Sequence, residues 1–157
     1  MITIEISKFG KGLFAKEQIF KGDLITKIVG RKIKFDEAVL LGEKESYPFQ
    51  VGLHAYIAPT RNAVWQYINH SCNPNCGVNQ KLELIALTDI AKGEELFYDY
   101  STCMLERHWT MNCHCKAENC RHVISDFDTL SPDRQKYYLE LGVVQKFITK
   151  YLNSKND

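Results

Sequence analysis

The chain lacks most of what would tie it to a membrane, a nucleic acid or an oxidising compartment. No apolar run exceeds four residues, and a helix needs about twenty such residues to cross a bilayer. The opening segment, Met1-Ile2-Thr3-Ile4-Glu5-Ile6-Ser7-Lys8, lacks the basic start and continuous apolar stretch of a secretory signal. The net charge is only +1 and no block of five like charges occurs, so neither a phosphate backbone nor an anionic membrane would be held by bulk electrostatics. Internal repeats, low-complexity tracts and linkers are absent before the polar last few residues. These absences predict an intracellular, soluble protein without a direct nucleic-acid or membrane partner, compatible with cytoplasm, nucleus or export as an effector. Any partner must be recognised locally.

What is present suits one globular domain. The 157 residues are 45% hydrophobic and 25% charged, enough to bury a core. Six cysteines without a secretory signal read as metal ligands or free thiols rather than disulfides.

Ile2, Ile4 and Ile6 alternate with polar residues, which predicts a half-buried strand running into Gly10-Lys11-Gly12-Leu13. The Gly-x-Gly loop is either a hairpin turn or a backbone cradle for a cofactor. It has no third glycine or following helix to make a dinucleotide fingerprint. Residues 24–33 read as one or two strands broken at Gly30, and residues 36–41 as a short helix capped by Asp36 and stopped by Gly42. Phe49, Val51 and Leu53 form an inward strand face beginning at Tyr47, and Leu82, Leu84 and Ala86 another. Ser131-Pro132 starts a helix that Gly142 closes. A final helix carries Val144, Phe147, Ile148, Tyr151 and Leu152 on one stripe. Both helices read as packing elements.

Three stretches concentrate polar or ligating groups. Tyr67-Ile68-Asn69-His70-Ser71-Cys72-Asn73-Pro74-Asn75-Cys76 packs short hydrogen-bonding side chains into turn chemistry. Gly93-Glu94-Glu95-Leu96-Phe97-Tyr98-Asp99-Tyr100 follows a turn-bearing link from Asp89. Cys113-His114-Cys115-Lys116-Ala117-Glu118-Asn119-Cys120 holds three thiols in eight residues, one short of a tetrahedral structural zinc site. His114 is crowded by its neighbours and reads as exposed, while Cys76 and Cys103 read as inert core thiols.

Together these stretches resemble the SET domain of protein-lysine methyltransferases. The first is similar to its Arg-Phe-Ile-Asn-His-Ser-Cys-x-Pro-Asn signature, the second to its Gly-Glu-Glu-Leu-x-Phe/Tyr-Asp-Tyr signature, and the third to the post-SET zinc motif. The resemblance covers residues 1 to about 125. It implies a mainly β (α+β) fold, a β-clip of small curved sheets in which the two signatures cross in a pseudoknot, with C-terminal helices added. It further implies a SET domain over 1–105, a post-SET zinc segment over 106–125 and a helical extension over 126–157 packed on the same domain. The implied activity is S-adenosylmethionine-dependent methylation of lysine on a protein substrate, a histone or another basic protein. A structural Zn2+ would be held by Cys72, Cys113, Cys115 and Cys120. The cofactor would meet the Lys11, Gly12 and Leu13 backbone, Asn69, His70 and Tyr100, with Ile124 over the adenine. Tyr100 would stand nearest the transferred methyl, with Tyr47 a second wall of the lysine channel. Tyr98 takes the position where tyrosine goes with monomethylation and phenylalanine with higher states.

The chain departs from the family pattern at Gln66, where arginine is usual, and at His122, where glycine is common. No cysteine-rich pre-SET region precedes the domain, and the size is more like viral or bacterial members. Two rival readings remain: a catalytically inactive SET-fold module that binds a peptide, and a small zinc module for nucleic acid, which would need a basic face.

Overall fold

The computed structural model describes residues 1–42 and 48–155. Its strands are short because turns interrupt them every few residues, and they distribute over five small sheets rather than one. β1 (Ile2–Ser7) and β2 (Gly10–Ala15) form an antiparallel hairpin. Its turn falls at Lys8 and Phe9, with Gly10 at φ 100°, so the reversal comes just before the Gly-x-Gly pair. β3 (Leu24–Lys27) pairs with β9 (Glu83–Ala86), which in turn pairs with β8 (Cys76–Val78). β4 (Gly30–Lys34), β6 (Ala55–Pro59) and β5 (Phe49–Gly52) make a second three-stranded sheet. The mainly β architecture with small sheets is as expected, and no sheet closes into a barrel among the described residues.

Two short strands from the signature motifs lie side by side. β7 (Asn69–His70) runs parallel to β10 (Phe97–Tyr98), with Asn69 opposite Phe97 and His70 opposite Tyr98. The Asn75 side chain locks the crossing: its Nδ2 donates to the Glu95 carbonyl at 2.9 Å and its Oδ1 accepts from the Phe97 N–H at 2.8 Å. One amide thus satisfies two main-chain groups that a two-residue strand cannot.

The main core gathers Leu13, Ile19, Phe49, Trp65, Val78, Leu84, Ile90 and Leu96 between the sheets. A second core joins Leu87 and Leu105 to Phe127, Tyr138, Val143, Val144 and Ile148. It mounts α2 (Pro132–Glu140) and α3 (Lys146–Ser154) on the sheets. Ser131 caps α2 through the Arg134 N–H, and Gly142 follows it at φ 70°, the left-handed position that favours glycine after a helix. Phe147, Ile148, Tyr151 and Leu152 of α3 face this core, as their spacing predicts, whereas Val144, expected on the same helix, lies just before it and packs into the same core. Buried Gln145 ties the junction to β8, its Nε2 donating to the Val78 carbonyl at 3.0 Å.

Three local expectations are corrected. Ile4 and Ile6 are 40% and 83% exposed, because the β1–β2 hairpin is only two strands wide and no layer covers that face. Leu53 is exposed and Gln50 buried instead; the strand ends at Gly52, and the Gln50 amide bonds the Leu105 main chain in both directions. α1 spans Phe35–Gly42, so Asp36 sits in its first turn rather than capping it. Tyr47 lies outside the described residues.

Candidate active site and metal centre

The parallel pairing of β7 and β10 brings the two signature motifs into one site. Asn69 reaches across to the first hairpin, donating from Nδ2 to the Lys11 carbonyl at 3.1 Å and to Glu95 Oε1 at 2.7 Å. Glu95 Oε2 accepts from Ser7 Oγ at 2.7 Å, so one carboxylate joins the hairpin to the signature segment. A Cβ at residue 12 would collide with that carboxylate and with Ser7 Cβ. This close approach gives its own reason for glycine there. Lys11 sets its ammonium over the Tyr67 ring, 5.4 Å from the centroid, and Leu13 is fully buried beneath.

His70 is nearly enclosed. Burial, against the opposing pull of Asp99, brings its pKa down to about 4, so the ring is neutral at pH 7. Its Nδ1 accepts the Tyr100 N–H at 3.2 Å. The proton of the neutral ring therefore sits on Nε2, 3.4 Å from Cys72 Sγ. Tyr100 donates its hydroxyl to the Ile68 carbonyl at 2.8 Å, directly beside Asn69. Lys11, Gly12, Asn69, His70 and Tyr100 thus gather around residues 68–70, whereas Ile124, from β12 (Val123–Ile124), which pairs with β11 (Met111–Asn112), has no exposed surface and packs with Cys72 and Cys113.

Tyr100 also borders an aromatic cleft of about 230 Å³, walled in part by Phe49, Trp65, Tyr98 and Trp109. The Tyr98 and Tyr100 rings sit 4.8 Å apart, Tyr100 and Trp109 6.4 Å, and Phe49 and Trp65 6.2 Å edge to face. Desolvation, then the nearby Cys103, Tyr100 and Asp99, hold the Tyr98 phenol well above its ordinary pKa. Such a cleft accepts an aliphatic stem and tolerates a cation at its end. Gln66 also borders it, with its amide turned back onto the Thr60 and Ala63 carbonyls. Phe35, Tyr56, Glu106 and His108 also line it, and Tyr56 donates its hydroxyl to Glu106 Oε2 at 3.0 Å.

The four expected thiols meet. The sulfurs of Cys72, Cys113, Cys115 and Cys120 all lie within 4.8 Å of one another, Cys72 and Cys113 at 3.9 Å. Tetrahedral zinc with bonds of about 2.3 Å would set its sulfurs roughly 3.8 Å apart, so the donor set and spacing fit that ion. Burial pushes the Cys72 thiol up to about 11. At Cys115 burial is outweighed by main-chain hydrogen bonds from Cys72 and Ala117 and by the other thiols, which hold it down to about 6. His114 is exposed and Cys76 and Cys103 are buried, each as expected. His122 carries φ 63° while its carbonyl accepts the Cys113 N–H at 2.7 Å. The left-handed turn that glycine would ease is therefore kept with a histidine in it.

Sequence reasoning missed the group that joins these parts. Asp99 is 1% exposed and receives both Arg121 guanidinium nitrogens at 2.7 Å and the Tyr138 hydroxyl at 2.8 Å. A bidentate charge pair therefore links the second signature to the thiol lobe and to α2. Its members lie far apart in the chain; the only signal was an acidic residue between two aromatics in a strand otherwise headed for the core.

A chain of small sheets, two motif strands paired in parallel, an aromatic cleft and a four-thiol lobe is the architecture of a SET-type protein. This chain belongs to that family: the SET domain family model matches residues 10–101. It is 33% identical over 133 residues to a "Histone-lysine N-methyltransferase, H3 lysine-4 specific" of Aspergillus fumigatus, covering 73% of this chain and 10% of the relative. It is 34% identical over 133 residues to a "Variant-silencing SET domain-containing protein" of Plasmodium falciparum, covering 72% and 5%. With "Histone-lysine N-methyltransferase ASHH3" of Arabidopsis thaliana the identity is 33% over 139 residues, covering 79% and 38%. The chain thus spans well under half the length of these relatives. No helix among the described residues is long and apolar enough to cross a membrane.

Proposed function

We propose that this chain is a protein-lysine N-methyltransferase that uses S-adenosylmethionine and favours a monomethylated product. The observation that carries this reading is the pair of tyrosine rings, Tyr98 and Tyr100, 4.8 Å apart in the wall of an aromatic cleft. Bound at the Lys11 to Leu13 backbone, Asn69 and His70, S-adenosylmethionine supplies the methyl group and a sulfonium charge. The residues of the chain handle the lysine. Desolvation in the cleft favours the neutral amine, whose ordinary pKa is about 10.4. Tyr100, held by the Ile68 carbonyl, orients the nitrogen rather than taking its proton. Ile124, packed among the thiols, backs the adenine side.

Tyr98 limits the product. It lines the cleft in which a methylated amine would need to turn, and a hydroxyl on its ring narrows that space relative to phenylalanine. Cys72, Cys113, Cys115 and Cys120 hold a zinc ion whose role is structural, because four thiolates leave no open position for catalysis. The SET portion over 1–105, the thiol segment over 106–125 and the helical extension over 126–157 act as one unit. The substrate is a protein with an exposed lysine, as the names of the histone-lysine methyltransferase relatives suggest.

Labelled S-adenosylmethionine incubated with this protein and a mixture of basic proteins should leave label on lysine, and Tyr100→Phe should lower the rate at least tenfold. Intact-mass analysis should find mainly one added methyl group, and Tyr98→Phe should shift the product toward two or three. No transfer to any basic protein, with peptide still bound, would favour the inactive binding module.

A further inference from the structure

Glu106 stands where two clefts meet. The aromatic cleft of about 230 Å³ and a second one of about 400 Å³ share Phe35 and Glu106 in their walls. The second is otherwise lined by Leu53, His54, Leu105, Arg107 and Tyr151 of α3. A lysine filling the first cleft would therefore place its neighbours in the chain against the second, since an extended peptide advances only about 3.3–3.6 Å per residue.

The charges around the partition are uneven. The Arg107 guanidinium is already committed, to Asp128 through two bonds of 2.7 and 2.6 Å and to Asp126 at 3.3 Å. Two carboxylates thus face one guanidinium before Glu106 is counted. Glu106 itself is half-buried, and among the described residues its side chain has one hydrogen-bond partner, the neutral Tyr56 hydroxyl, and no cation in salt-bridge range. Its main-chain N–H donates to Asp126 Oδ1 at 2.9 Å, which fixes the residue on the rim shared by both clefts. A partly desolvated carboxylate without a cation is unfavourable alone and gains most when a cation arrives. Burial, helped by the neighbouring Asp126, raises its pKa against the opposing pulls of the Tyr56 hydrogen bond and of His108.

We infer that Glu106 selects the substrate: it recognises a cationic side chain, arginine above all, that flanks the target lysine and enters the second cleft beside Phe35, the Tyr151 ring being already taken by Arg107 and Lys155. This rests on the methyltransferase reading and narrows its substrate class to lysines in a basic segment. Arginine suits the site better than lysine because its planar fork can engage the carboxylate while its face lies on a ring.

The test uses the whole chain with S-adenosylhomocysteine and fluorescent peptides carrying one lysine in a neutral background, with arginine placed in turn at each position within about three residues of it. At one or two positions arginine should tighten binding about tenfold, less at high salt. Glu106→Gln should abolish that preference, and Glu106→Lys should reverse it, so that a glutamate-flanked peptide binds better. A merely structural role for Glu106 would not reverse a preference. The same peptides are assayed with labelled S-adenosylmethionine. Methyl transfer that ignores flanking charge, or a preference that survives Glu106→Gln, overturns this inference and leaves the proposed function standing. Arginine-dependent binding without methyl transfer supports the selection and overturns the enzyme reading. Neither binding nor transfer with any peptide overturns both.

Discussion

Asp99 shows how much one side chain can hold. It is enclosed, yet its two oxygens answer Arg121 from the thiol lobe and Tyr138 from α2. Removing its charge would leave the Arg121 guanidinium without its partner in a site only 21% open to solvent. Asp99→Asn should therefore cost about 3 kcal/mol of stability, measured by urea unfolding at constant slope. Glu106 behaves in the opposite sense. Burial raises its pKa above the ordinary value of 4.5, so between the unfolded and folded values the native chain binds the additional proton. Stability due to this group is present at low pH and falls as pH rises through that window. Glu106→Gln should flatten this part of the profile and leave the protein more stable than the parent at pH 7, as thermal melts from pH 4 to 8 would show. Neither residue was legible in the sequence. Asn69, His70, Cys72 and Tyr100 sit in contiguous signatures, and the thiol triplet advertises its chemistry by spacing alone. The importance of Asp99 and Glu106 comes from partners 22 and 50 residues away, Arg121 and Tyr56, which only the folded chain brings up.

The elements follow their patterns where something packs on them. β9 buries Leu84 and Ala86 as its alternation predicts, and α3 buries Ile148 and packs Phe147, Tyr151 and Leu152 against the same core. β1 alternates just as regularly and buries neither Ile4 nor Ile6. Alternation tells which residues share a face; it cannot tell whether a second layer covers it. The joint between β8 and the C-terminal helices is the converse, a contact that pattern alone could not reveal. A Cβ on Gly77 would come within 2.6 Å of Val143 Cγ1, so β8 accepts the helical extension only because residue 77 has no side chain. Gly77→Ala should destabilise by about 1–3 kcal/mol through overpacking. Val143→Ala added to it should recover part of the loss, and a double-mutant cycle measures the coupling.

The molecule as a whole is held less by one core than by ties between lobes. Its two larger cores are separate, one between the sheets and one joining Leu87 and Leu105 to the C-terminal helices, while the thiol cluster keeps a small one of its own with Ile124 and Met111. So small a cluster cannot order its lobe by apolar burial, and the proposed metal must contribute most of its folding energy. Elemental analysis should find one zinc per chain. Chelation should strip hydrogen-exchange protection from the Cys113 and Cys120 amides, whose partners are the His122 and Ala117 carbonyls, while the amides between β4 and β6 stay protected. The parallel pairing of Asn69–His70 with Phe97–Tyr98 also governs the order of events as the chain acquires its shape. Two strands that run in the same direction cannot zip from a tight turn; the intervening hairpin must first bring the later one around, and a long loop must close before any reward arrives. Maturation of this protein should accordingly be slow for its length, with the crossing completed last.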